Sequence, residues 1–299
     1  GCRKIAVDGG TTIITQPGDS TSDNPILEGR ISANRTLKAN VVYKLRGLVY
    51  VTNGAILTIE PGTKIVGELN KQGGLIITRS AKIIADGTPD KPIVFTSEAT
   101  NPQRGDWSGV ILLGNAPTNS SFNGVQGIGE IEGGVNNSDG LGLYGTPVTQ
   151  NQNPADNSGI LRSVRKDNAG YAFLPDKEIN GLTFGGLGSG TVIDYVQVSY
   201  ANDDSFEWFG GTVNCSHLIS FRTLDDDFDT DNGFSGHVQF GICLRDSAVA
   251  DISKSEAFES DNDANGRQLL PQTQAMFSNM KVIGPRQTLT TMGRNMVHG

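Results

Sequence analysis

Asp203-Asp204-Ser205-Phe206-Glu207-Trp208, Asp225-Asp226-Asp227-Phe228-Asp229-Thr230-Asp231 and Glu256-Ala257-Phe258-Glu259-Ser260-Asp261 are three versions of one phrase. Each centres on a phenylalanine preceded by acids and followed at once by another: Glu207, Asp229, Glu259. Phe206 and Phe228 are 22 residues apart, Phe228 and Phe258 are 30 apart. Apolar-then-acidic positions that return every twenty-odd residues are what a solenoid writes into its sequence, one coil per repeat. The rings are then expected to stack inward and the acids to line up outside.

The rhythm extends upstream. Leu57-Thr58-Ile59 and Pro61-Gly62-Thr63-Lys64-Ile65 read as strand, turn, strand, and Ile59 to Ile77 and Ile65 to Ile83 each span 18 residues. Further on, Val196, Ile219 and Ile242 recur at 23, as do Val198, Phe221 and Leu244. These apolar columns are read as the core, with coils stacked at roughly 4.8 Å and alternate residues facing out. The 22-residue step from Phe206 to Phe228 requires one connecting turn to absorb a residue.

Composition agrees. Glycine is abundant at 39 of 299 residues, charged residues make up only 19%, and short Val/Ile/Leu runs are bounded by Gly, Pro, Asn and Asp. That is an all-β composition with little helical periodicity. The net charge of −8 argues against nucleic acid as a partner. No run of eighteen apolar residues offers a membrane span.

Residues 1–36 read as an irregular tether and 37–299 as the solenoid, interrupted at about 115–158 by an Asn/Gly-rich insertion expected to project from one side. Gly1-Cys2 reads as the end of a bacterial lipoprotein signal. A diacylated Cys2 would tether the domain to an outer membrane, the polar residues 9–24 forming a stalk. Cys215 and Cys243 sit in apolar runs and read as buried free thiols. Pro285 to Gly299 carries no amphipathic cap, so the last coil is expected to be covered by further chain or by a partner.

Two stacked carboxylates one coil apart repel by roughly 3–4 kcal/mol at an effective dielectric near 20 and about 1 kcal/mol in water. Either water or a shared cation must relieve that repulsion. Calcium suits Asp225, Asp226, Asp227, Asp229, Asp231, Glu259 and Asp261, because it takes six to eight oxygens in flexible geometry. Asp227-x-Asp229-x-Asp231-Asn232-Gly233 has the opening spacing of a calcium loop, although position twelve is Val238 rather than Glu. A solvated acidic edge that caps turn amides is the competing reading.

Trp107-Ser108-Gly109-Val110, Glu178-Ile179-Asn180-Gly181-Leu182-Thr183-Phe184, Asp194-Tyr195-Val196-Gln197-Val198-Ser199-Tyr200 and Phe209-Gly210-Gly211-Thr212-Val213-Asn214 join the Asp225–Asp231 phrase in carrying a family resemblance. Over most of residues 40–285 the chain resembles right-handed, single-stranded parallel β-helix proteins of the pectin-lyase-like superfamily, found secreted or exposed on bacterial surfaces. That resemblance is specific for the fold and implies a secreted or surface-exposed protein; the acidic, aromatic flank and the inserted loop add the expectation of a binding or structural role, with a polysaccharide or surface glycan as partner. Trp208 and Phe209 flank Glu207 and, if exposed, would stack on sugar rings beside Asp203 and Asp204. Trp107 reads as buried. Enzymes on this scaffold include calcium-dependent lyases and hydrolases, for which Arg222, Arg245, Asp229 and Asp231 are the candidates. A non-catalytic adhesin stalk is the third alternative.

Overall fold

Phe206, Phe228 and Phe258 superpose. Their strands, Phe206–Phe209, Phe228–Asp231 and Phe258–Ser260, pair in parallel with Phe206 opposite Phe228 and Phe228 opposite Phe258. The rings stack at 5.7 and 5.5 Å, and Phe206 and Phe228 have no exposed surface. The structure, a computed structural model, describes residues 24–174, 177–251 and 255–284.

Three vertical stacks of short parallel strands wall a single apolar interior, and no helix occurs among the described residues. One inward column runs Ile31, Val51, Ile77, Leu112, Phe184, Trp208, Thr230. A second runs Tyr43, Ile65, Phe95, Lys166, Val198, Ser220, Cys243. The third runs Leu37, Ile59, Ala85, Leu161, Ile193, Cys215, Val238. Each strand is too short to bury its inner face alone, so the fold is stable only as a stack. Cys215 and Cys243 are buried free thiols, as expected, and burial pushes the Cys215 thiol up to about 12.

Close coil-to-coil approach explains several glycines. Gly159 takes φ +114°, and a Cβ there would lie 1.8 Å from the Ile83 carbonyl oxygen of the coil below. Only glycine fits such a contact.

The structure corrects four features of the reading. The sheet begins at Ile26, not at residue 37, because Ile26–Ile31 and Arg35–Leu37 already pair with later strands. The 18-residue spacing is not the register: Ile59 stacks on Ala85 and Ile65 on Phe95. Polar turns such as 68–73 and 88–91 differ in length, so equal sequence spacing does not mean equal height. Val196 lies opposite Leu218, and Val198 opposite Ser220, one residue off the 23-residue pattern. Ile219 and Ile242 do pair with each other but face outward, 37% and 42% exposed.

The fourth concerns the insertion, which folds down rather than projecting. Its strands Ile128–Glu130 and Leu143–Gly145 form an antiparallel pair. Ile131, Val135 and Tyr144 then pack on the outer face of the first stack, against Ile76, Ile111, Leu113 and Phe209. Tyr50 donates its hydroxyl proton to the Val135 carbonyl at 2.7 Å, pinning the cover. Cys2, the proposed stalk through residue 23 and the segment 285–299 lie outside the described residues.

Candidate acidic centre beneath the insertion

Pairing and pleat place Glu207 and Asp229 on the outer face of the first stack, in one column with Tyr50, Ile76, Ile111 and Thr183 below and Glu259 above. The lower part of this column is apolar and covered by the insertion. The upper part is acidic, and the cover reaches partly over it. Glu207 is therefore buried, although its side chain points away from the solenoid interior. Asn180 donates its amide protons to Glu207 and, at 3.4 Å, to Glu132 of the insertion.

A second acidic line occupies the turns before these strands. Asp204 Oδ1 accepts the backbone N–H of Asp226 at 2.8 Å, and Asp226 Oδ1 accepts that of Glu256. Each carboxylate thus caps the turn of the coil above. The two lines converge into three groups: Asp203, Asp204 and Asp225; Asp204, Glu207 and Asp229; and Asp226, Glu256 and Glu259. Within each, one carboxylate oxygen per residue lies within 4.8 Å of the others. Asp229 Oδ1 and the Asn180 carbonyl oxygen are buried and accept no hydrogen bond.

This crowding appears in the proton affinities. Burial first, and then the neighbouring acids, holds Asp204, Glu207 and Asp229 well above the ordinary carboxylate range. Asp226 is pushed up to about 11 by burial and by its hydrogen bond with Glu259. Asp231 rises to about 6, again chiefly through burial. The cluster therefore demands positive charge, as protons or as a cation.

Several expected members belong elsewhere. Asp227 points inward, fully buried, and forms an ion pair with Arg245 at 3.0 Å while accepting a hydrogen bond from Ser220. Asp227, Asp229 and Asp231 thus do not converge as a calcium loop, because Asp227 lies in the turn before strand Phe228–Asp231 and points inward to Arg245, whereas Asp229 points outward beside Glu207. Asp231 accepts the N–H and side-chain amide of Asn232, and Asp261 is exposed at the upper edge; neither joins a triad.

Arg245 is not poised as a base. Its guanidinium also donates to the carbonyls of Glu256 and Asp225, both at 2.7 Å. Arg222 is exposed and lies over the Phe221 ring. Trp208 has no exposed surface and stacks between Phe206 and Phe234, so it is no sugar platform. Phe209, 8% exposed, packs against Tyr144 of the insertion. Trp107 is buried as expected, its indole N–H donating to the Asp167 carbonyl. Glu132 and Asn180 escaped the sequence reading, since neither belongs to a repeat; the sole hint was an acid inside a strand-like stretch of the insertion.

A three-walled parallel β-helix with a carboxylate column on its first wall is the architecture these residues define. Residues 29–299 match the family described as pectate-lyase like beta helix domain, and the chain belongs to it. No curated protein and no solved structure matches the chain.

Proposed function

We propose that this domain is a non-catalytic module of the bacterial cell envelope that binds polysaccharide, with calcium held by its acidic column. The observation that carries the reading is the Asp204, Glu207 and Asp229 triad, whose oxygens approach within 4.8 Å while Asp229 Oδ1 lacks a hydrogen-bond partner. The donor set fits a hard cation: the oxygens that converge are all carboxylate, with no thiolate or imidazole among them. A bound cation would offset the burial and the mutual repulsion that otherwise keep these acids protonated.

The pectate-lyase-like family supports a polysaccharide as the partner. Asp203, Asp225 and Glu259 are part-exposed, which leaves an edge of the column accessible. The engagement of Arg245 by Asp227 supports binding rather than proton abstraction.

Thermal melts in EDTA and in calcium, then a glycan array with product analysis, test the reading. Calcium is expected to raise the melting temperature, and Asp229→Asn to remove most of that rise. Glycan retention without shortened or unsaturated products is expected. Identical melts with and without calcium would sink the cation site; released products would replace binding with catalysis.

A further inference from the structure

The groove at the corner between the second and third stacks is independent of the acidic column. At this corner the five upper coils each carry one residue in the left-handed region: Ser163 (φ 49°), Tyr195 (53°), His217 (53°), Phe240 (60°) and Asn279 (55°). Side chains bearing a Cβ adopt that conformation at a cost, and Asn or Gly fills it more cheaply. Three of the five positions nevertheless carry rings. Tyr195 and His217 stack at 4.1 Å and 1°, His217 and Phe240 at 5.0 Å and 15°. His217 Nδ1 is held by Asp194 at 2.8 Å.

Two residues along each strand a second outward column rises: Arg165, Gln197, Ile219, Ile242 and Lys281. The rings and the isoleucines form two ridges, with Val196, Leu218 and Gly241 between them. The resulting groove has a volume of about 610 Å³, and Thr88, Pro89 and Pro92 border it as well. Tyr195, Phe240, Ile219 and Ile242 are 55%, 45%, 37% and 42% exposed. Mutual stacking accounts for the rings, but not for two exposed isoleucines facing them. An apolar trough of this kind marks an interaction site.

We propose that the trough binds a long-chain fatty carboxylate, its acyl chain lying along the solenoid axis. Four coil spacings of roughly 4.8 Å give about 19 Å, the span of an extended chain of about fifteen carbons. The middle coils line the trough mainly with apolar groups, Gln197 and His217 being the polar exceptions, whereas the ends carry exposed Arg165, near Asp167 at 3.7 Å, and exposed Lys281. Cations at the ends match an anionic headgroup.

They also disfavour a second copy of this chain. A two-fold arrangement sets Arg165 against Lys281 when the axes are antiparallel, or each against its own counterpart when they are parallel. A sugar or an extended peptide is disfavoured by the walls. Their backbone amides are committed to the ladder between coils, so hydroxyls or peptide groups in the middle of the trough would find only the side chains of Gln197, which donates to Ser199, and His217, which Asp194 already holds. The rings, being stacked, present their edges to the trough, with a free face only at each end of the stack, so a sugar finds no extended platform.

Fluorescence titration with parinaric acid, followed by displacement with palmitate and with octanoate, tests the proposal on the intact chain. Saturable binding of one parinaric acid, displaced by palmitate and not by equimolar octanoate, is expected. The Ile219→Asp/Ile242→Asp variant is expected to lose at least tenfold in affinity, and Lys281→Glu severalfold, with melting temperature and circular dichroism unchanged. The proposal fails if no saturable binding occurs, or if the double aspartate variant binds as the wild type does. It also fails if that variant merely turns a dimer into a monomer, or if an oligosaccharide displaces the probe.

Discussion

Lys166 offers the sharpest test of how this interior is held together. Its side chain fills the inward column between Phe95 and Val198, is 1% exposed, and leaves Nζ without a hydrogen-bond partner. The ammonium lies 4.5 Å from the centre of the Trp107 ring. Burial drives the Lys166 pKa well below its ordinary value, with Asp167 opposing weakly. Lysine in the unfolded chain titrates near 10.4. Between the depressed folded value and that figure the unfolded state binds the proton that the folded state refuses. Stability therefore rises with pH across this window, by up to about 1.4 kcal/mol per unit.

Methionine has nearly the same length and removes the ionisable group. Lys166→Met is expected to stabilise the domain at pH 7 by about 1–4 kcal/mol, the range seen when buried charges give way to apolar side chains of similar volume. For a chain of this size each kcal/mol raises the melting temperature by roughly 2 °C. The advantage must shrink between pH 7 and 10, because only the wild type gains as the solvent becomes more basic. Calorimetric melts of both proteins at several pH values decide the matter. A variant less stable than wild type at pH 7, or one whose advantage is constant with pH, would refute the argument and assign the cation–π contact more weight than burial.

Further outcomes concern the acids and the stack. In EDTA, raised folded pKa values make the stability from Asp204, Glu207 and Asp229 complete below pH 4 and progressively lost above it. The melting temperature is therefore expected to fall as pH climbs from 5 to 8, with Asp231 contributing near its value of about 6. Millimolar calcium should flatten that decline; a melt that improves across the same range in the Lys166→Met variant, which lacks the opposing lysine contribution, would contradict the site's electrostatics. Arg245→Met leaves the Asp227 carboxylate buried alone and is expected to cost about 3–5 kcal/mol, much of it recovered in the Asp227→Asn/Arg245→Met double variant. Phe228→Ala opens a cavity under Phe258 and above Phe206 and should cost about 3–5 kcal/mol in denaturant unfolding. A loss below 1 kcal/mol would show that the ring stack is dispensable.

The repeated Phe-acid phrase determined the fold class by itself. The same local phrase returning along the chain means stacked coils: its steps of 22 and 30 residues differ, yet Phe206, Phe228 and Phe258 superpose. Period-two alternation likewise determined that Phe206 faces in and Glu207 faces out, because adjacent strand residues always oppose. Three-dimensional structure alone decided what lies over the outer face. The insertion has no repeat and no periodicity, so nothing local could announce that Tyr144 and Glu132 would cover Phe209 and approach Glu207 and Asn180. Nor could spacing rank Ile219 as exposed while Leu218 is buried, since one left-handed residue, His217, shifts the parity of everything after it. Alternation is a property of neighbours in the chain; burial depends on segments far apart in sequence, and those contacts are made only on folding.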